Sequence, residues 1–170
     1  MTCAMRVVSD TSPLLNLAII GRLALVRQQF GQVWVPPAVL GELQPDAQRP
    51  GSLEVREALR VGWLRASDHP QPELVAVLQR ELDYGEAEAI ALAVQWRAAW
   101  VLLDERAGRR VAKSLGLEVT GVLGILLRAK LQGQLPSLRV ALDDLQGSAG
   151  FRLSDALAAD ILRQAGESDP

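Results

Sequence analysis

The 170-residue sequence predicts an α/β fold built on a mainly parallel sheet. Three observations carry that expectation. Short β-rich apolar runs alternate with helical patterns along the chain, the arrangement in which helices connect parallel strands. Trp100-Val101-Leu102-Leu103 is apolar without a break, as a central strand covered on both faces should be. The stretch 86–94 is apolar on every side after Glu88, which marks a helix buried inside the fold.

Taken in order, Val7-Val8 reads as a first strand that stops at Asp10. Residues 14–21 and 22–30 read as two short helices, stopped by Gly21 and Gly31. Residues 32–35 form a second strand, ended by Pro36-Pro37. Proline is tolerated in a first helical turn, so a helix carrying Val39, Leu40, Glu42 and Leu43 should start there. A polar turn region covers 45–52, a helix 53–61, a strand 63–66 and a loop 67–72. An amphipathic helix is expected over 73–82, and Gly85 opens the buried helix. The strand 100–103 ends at Asp104. A helix over 106–115 stops at Gly116, and 117–120 is the last strand. Helices over 122–131, 137–145 and 153–164 follow, with a frayed tail over 166–170. Without repeat, low-complexity tract or linker, 1–170 reads as one domain, with about 135–166 as a C-terminal helical extension.

Composition removes several classes of function. Apolar residues make up 49% and charged residues 22%, an ordinary globular balance. No apolar run reaches the ~18 residues of a membrane span. No basic segment followed by an apolar one opens the chain, so no signal peptide is expected. Cys3 is the only cysteine, which excludes an internal disulfide and fits the cytoplasm. A net charge of −2 gives no global attraction to nucleic acid, so any such binding needs a local basic patch. Arg106, Arg109, Arg110 and Lys113, at i, i+3, i+4 and i+7, supply one such stripe; the alternative is a solvated helix face. No glycine-rich loop ends in Gly-Lys-Ser/Thr, so that class of nucleotide hydrolysis is excluded.

Four acidic positions stand out. Asp10 and Asp104 each end an apolar strand, and strand ends in one parallel sheet face a common crevice. Glu86 lies in the first turn of an otherwise apolar helix, and Glu42 follows Pro36-Pro37. Each has a structural alternative: Asp10, Thr11 and Ser12 can cap the next helix, and Glu86 suits a helix dipole. Clustered carboxylates raise one another's pKa, and a divalent cation removes that strain. Oxygen-only ligation suits Mg²⁺ or Mn²⁺, and such a site can activate water against a phosphate ester. One histidine and one cysteine make zinc unsuitable. His69, alone in a proline-rich loop, and Trp34, Trp63, Trp96 and Trp100 read as structural.

These residues resemble the PIN-domain nucleases. The resemblance runs through Val7-Val8-Ser9-Asp10-Thr11-Ser12-Pro13-Leu14-Leu15-Asn16-Leu17 and Val35-Pro36-Pro37-Ala38-Val39-Leu40-Gly41-Glu42-Leu43. It continues through Gly85-Glu86-Ala87-Glu88-Ala89-Ile90-Ala91-Leu92-Ala93 and Leu102-Leu103-Asp104-Glu105-Arg106. The Asp-Thr-Ser-Pro and Gly-Glu-Ala-Glu-Ala forms look like a prokaryotic subgroup related to the toxins of VapBC-type pairs. The resemblance implies a three-layer fold with a central, mainly parallel sheet of four to five short strands flanked by helices. It implies a Mg²⁺- or Mn²⁺-dependent ribonuclease that leaves 5′-phosphate and 3′-hydroxyl ends. Asp10, Glu42, Glu86 and Asp104 correspond to the catalytic set, with Asp10, Glu86 and Asp104 as metal ligands.

Thr11 and Ser12 correspond to the supporting hydroxyl, with Glu88 and Glu105 as supporting acids and the basic stripe on RNA phosphates. Glu86 and Glu88, two residues apart, point about 200° apart on a helix, so both are not direct ligands. Glu86 is preferred because the alanines after it follow the family's register. RNA, an antitoxin protein and a second copy of the chain are the partners implied, and no membrane. A catalytically inactive PIN-like module that binds RNA or protein is the alternative. A phosphatase with Asp10 as nucleophile would need a second Asp where Ser12 stands.

Overall fold

In the computed structural model, which describes residues 5–167, five short strands form one parallel sheet. The first half of the chain runs β1 (Val7–Ser9), α1 (Thr11–Ile19), α2 (Ala24–Phe30), β2 (Val33–Val35), α3 (Pro37–Leu43), α4 (Ser52–Val61) and β3 (Leu64–Ala66). The second half runs α5 (Pro72–Leu78), α6 (Tyr84–Trp96), β4 (Trp100–Leu102), α7 (Arg106–Ser114) and β5 (Val119–Thr120). It closes with α8 (Val122–Leu131), α9 (Leu138–Gly147) and α10 (Asp155–Gln164). The strand order is β3-β2-β1-β4-β5. Val8 pairs with Trp34 on one side, while Val7, Val8 and Ser9 pair with Trp100, Val101 and Leu102 on the other.

From β1 the chain steps outward through β2 to β3, then returns across the sheet to β4 beside β1. Right-handed crossovers assign α1–α4 to one face and α5–α7 to the other. Accordingly α6 packs on β1 and β4, while α2 packs on β2 and α8 on β5. Val7 and Val8 point to opposite faces and are 1% and 0% exposed, so both faces are covered. Between β1 and β4 the connections diverge and open a crevice at the carboxyl edge.

The elements start and stop for local reasons. α1 begins three residues before the expected 14, because Pro13 falls in the first turn, where a missing N–H has no helical partner to lose. α5 stops at Leu78 rather than at 82. Residues 79–82 form a turn, and Leu82 still enters the core from it, which continues the amphipathic pattern beyond the helix. α6 begins at Tyr84 because Asp83 caps it, accepting from the Glu86 N–H at 2.8 Å. The tail is tied down as far as Glu167. Its Oε2 accepts the Leu138 N–H at 2.6 Å at the start of α9, and Lys130 lies 3.5 Å away. Cys3 and the last three tail positions lie outside the described residues. No helix among those described is long and apolar enough to cross a membrane.

α8 carries Leu126, fully buried in the core. Leu126→Ala is expected to lower the unfolding free energy by about 2–5 kcal/mol through lost burial and the cavity left behind. Urea denaturation measures this as a lower midpoint at unchanged slope.

Candidate active site

The carboxyl edge of the sheet brings two acids to the crevice. Asp10 N donates to Leu102 O at 3.0 Å, which extends the β1–β4 pairing to Asp10 itself. Leu103 N donates to Thr120 O at 2.9 Å, and Asp104 follows directly. Asp10 occupies the N-cap position of α1, yet its side chain makes no cap bond. Its carboxyl is left to the crevice.

The two hydroxyls after Asp10 reach in different directions. Thr11 Oγ1 donates to Glu42 Oε2 at 2.7 Å, and Ser12 Oγ donates to Asp104 Oδ2 at 3.0 Å. Asn16 Nδ2, one turn along α1, donates to Ser12 Oγ at 3.0 Å and holds it in place. Asp104 Oδ1 accepts the Val122 N–H, the first of α8, at 2.8 Å. Glu86 completes a reciprocal cap with Asp83, its Oε2 accepting the Asp83 N–H at 3.3 Å. The dipole reading of Glu86 is therefore half of its role. Its other oxygen, Oε1, is buried with no hydrogen-bond partner.

Three glycines make this crowding sterically feasible. A Cβ on Gly85 would lie 2.5 Å from Glu42 Oε1, and one on Gly108 2.9 Å from Glu86 Oε1. On Gly121 it would lie 2.5 Å from Asp104 Oδ1 and 2.7 Å from Leu103 O. Each glycine lies on or beside a helix start and lets one carboxyl oxygen rest against bare backbone. The sequence reading passed over Asp83, Gly108 and Gly121. For Asp83 the signal was present, since Asp-x-x-Glu ahead of an apolar run is a capping pattern.

Burial dominates the electrostatics. Asp10, 5% exposed, has its pKa pushed up to about 7 by burial, with Glu86, Asp83 and Glu42 adding repulsion against the favourable Thr11 N–H. Burial likewise raises Glu86, and Asp83, Glu105 and Glu42 add to the shift. Asp104 is raised by burial against the Val122 N–H, Ser12 and Arg109.

Asp10, Glu86 and Glu42 thus act on one another by charge, Thr11 ties Glu42 to the start of α1, and Ser12 ties Asp104 to the same helix. Glu105, exposed at the start of α7, is close enough for its charge to act on Glu86 and Asp104. Glu88 faces elsewhere, toward Ala38 and His69. Among the described residues, no three acidic, histidine or cysteine side chains stand close enough to enclose an ion directly. Asp104, Arg106, Arg109, Arg110 and Lys113 line one cleft of about 450 Å³. Arg109 donates to Leu103 O at 2.9 Å, and Arg110 is paired with Glu81 at 3.0 Å. Arg106 and Lys113 are exposed, with no ion-pair partner among the described residues. Two of the tryptophans pack together: Trp34 meets Trp96 edge-on at 5.3 Å, and Arg65 and Arg6 cover those rings.

A family model described as "DUF3368: PIN domain" matches residues 6–167. Among solved structures, the chain is similar to a PilT N-terminus domain protein from the hyperthermophilic archaeon Sulfolobus solfataricus P2. The TM-score is 0.51 at 17% identity, covering 78% of this chain and 96% of that one, a likeness of fold. No curated protein matches the sequence.

Asp10 ties stability to pH. Its folded pKa of about 7 exceeds the ordinary 3.8, so the folded state holds its proton more tightly than the unfolded chain. That contribution is complete below the ordinary value and is lost as pH rises through about 7. In EDTA, Asp10→Asn is expected to melt above wild type at pH 8, with the gap closing toward pH 4. Melting curves across that range measure it, and a gap independent of pH would refute the assignment.

Proposed function

The chain belongs to the PIN-domain family, and from that premise we propose that it is a Mg²⁺- or Mn²⁺-dependent endoribonuclease acting at the crevice between β1 and β4. Glu86 carries the reading. A buried carboxyl oxygen without a partner, beside an aspartate whose pKa lies near neutrality, is costly for the apoprotein. A hard cation would relieve both groups.

Asp10, Glu86 and Asp104 would hold the ion, with Glu42 kept opposite them by Thr11. When bound, the ion supplies activation of a water and neutralisation of charge on the phosphodiester. Mg²⁺ keeps several waters and uses few protein oxygens, which suits carboxyls that stand apart rather than in a closed cage. Ser12 and the Val122 N–H fix the Asp104 carboxyl, and Glu105 at the rim is suited to a water-mediated contact. Arg106, Arg109, Arg110 and Lys113 line the approach for the RNA backbone, Arg106 and Lys113 with most charge to offer. The toxin role, with an antitoxin chain covering this crevice, is supported by the motif resemblance. So is a homodimer.

Asp10→Asn and Glu86→Gln are each expected to cut Mn²⁺-dependent cleavage of an RNA oligonucleotide by about 100-fold or more, on the scale of losing a placed catalytic group. Circular dichroism should stay unchanged. Full activity in either variant refutes the mechanism, and a wild-type chain without saturable Mn²⁺ binding indicates a binding module instead.

Arg106→Gln with Lys113→Gln is expected to weaken RNA binding about tenfold at low salt and to flatten the log–log salt slope by roughly 1.4, about 0.7 per phosphate contact. Fluorescence anisotropy over a salt series measures both. An unchanged slope would remove the cleft from the RNA path.

A further inference from the structure

Glu88 is a carboxyl that the proposed chemistry does not use, yet it is 1% exposed and fully engaged. It lies two residues beyond Glu86 on α6 and so faces the opposite way round the helix. Its Oε1 accepts the Ala38 N–H at 2.7 Å, and its Oε2 lies 3.1 Å from Nδ1 of His69.

Ala38 is the second residue of α3, the helix that carries Glu42. This helix has no N-terminal cap of its own. Pro36 holds the cap position without a side-chain acceptor, and Pro37 has no N–H, so the Ala38 amide is the first donor the helix must satisfy. Glu88 supplies the acceptor from a different element. At the other end, α3 stops at Gln44 with left-handed backbone (φ 46°). There Arg49 Nη2 donates to Glu42 O at 2.8 Å and to Leu43 O at 3.3 Å. A carboxyl at the first turn and a guanidinium at the last match the two ends of the helix dipole. Between them, Glu42 rests against Gly85, one turn before Glu88 on α6.

We propose that Glu88 is a positioning residue: by gripping the Ala38 amide it sets α3 against α6 and so holds the Glu42 carboxyl over Gly85 and within reach of Thr11. The catalytic consequence rests on the nuclease reading; the grip itself does not. Displacing Glu42 by a fraction of an ångström alters turnover while leaving the basic cleft, and with it RNA binding, untouched.

The test compares Glu88→Ala with Glu88→Gln in the full chain, since the glutamine oxygen can still accept from Ala38. Hydrogen exchange of the Ala38 amide, measured by NMR without metal, should quicken about tenfold or more in the alanine variant as the local bond opens. With Mn²⁺ and an RNA oligonucleotide, kcat of that variant should fall about 10–100-fold at a KM within about twofold of wild type, the scale of a small misplacement at a reacting centre. Glu88→Gln should restore Ala38 protection and most of kcat. A glutamine variant as inactive as Glu86→Gln overturns the proposal, because Glu88 would then act through its charge. An alanine variant with unchanged kcat or unchanged Ala38 exchange overturns it too. If the alanine variant does not fold, the isosteric glutamine variant decides alone by the same two readouts. A wild-type chain that cleaves no RNA sinks the nuclease reading, and Ala38 exchange then still decides the grip.

Discussion

The burial of the Asp10 carboxyl is the constraint around which the rest of the structure is arranged. It lies at the end of the central strand, where the low-dielectric interior disfavours its charge and three other acids repel it. The surrounding donors do little to help. Thr11 and Ser12, its immediate neighbours, turn their hydroxyls outward to Glu42 and Asp104. The Val122 N–H goes to Asp104 and the Asp83 N–H to Glu86 Oε2. Hydrogen bonds therefore fix the flanking carboxyls, while Asp10 is met by the Thr11 amide and Glu86 Oε1 has no partner. Such an arrangement orients acids without neutralising them. That uncompensated cost is what the proposed cation would offset.

Sterics make the crowding possible. Three helix starts converge on the crevice, those of α6, α7 and α8, and each brings a glycine against one carboxyl. Side chains at those positions would push Glu42, Glu86 and Asp104 apart. Gly121 is the least replaceable, because a Cβ there would also strike the Leu103 carbonyl, which cannot swing aside. The strand order explains why the crevice opens here: β1 and β4, neighbours at the middle of the sheet, send their connections to opposite faces.

What the sequence reveals of this site follows from what kind of signal each residue leaves. Asp10 and Asp104 interrupt apolar strands, so periodicity exposes them. Glu86 is visible because the helix behind it is apolar. Glu42 leaves a fainter trace; it is an exposed glutamate on a short helix, marked by its place after Pro36-Pro37 and by the resemblance to a family. The contrast between Glu86 and Glu88 follows from helical geometry alone, but the task of Glu88 does not, since Ala38 lies 50 residues away. Leu82 misled for an ordinary reason: a hydrophobe enters the core from a turn as readily as from a helix. Glu167 left no local pattern either, because its partners are amide groups at the start of a helix about 30 residues upstream. Strand existence and order of elements are properties of short windows. Ends and tethers depend on partners remote in sequence, and there the local reading goes astray.

α6 shows why one helix can serve several tasks at once. It is buried on every side from Gly85 to Ala93, so any polar group on it must find a partner within the protein. Two carboxyls on such a helix are a liability unless each has a defined task. Their spacing of two residues sends Glu86 into the crevice and Glu88 toward α3, so neither adds directly to the other's burden. The same helix brings Gly85 beneath Glu42. A single element thus fixes one acid, seats a second and holds in register the helix that delivers it. Replacing Glu86 and Glu88 by hydrophobes would fill the core more comfortably, but it would remove the acceptor for the Ala38 amide of α3 and the carboxyl beside Asp10. The polar cost of α6 is then a requirement of the site, and the alanines that surround it are small enough to let α3, α5 and α7 approach closely.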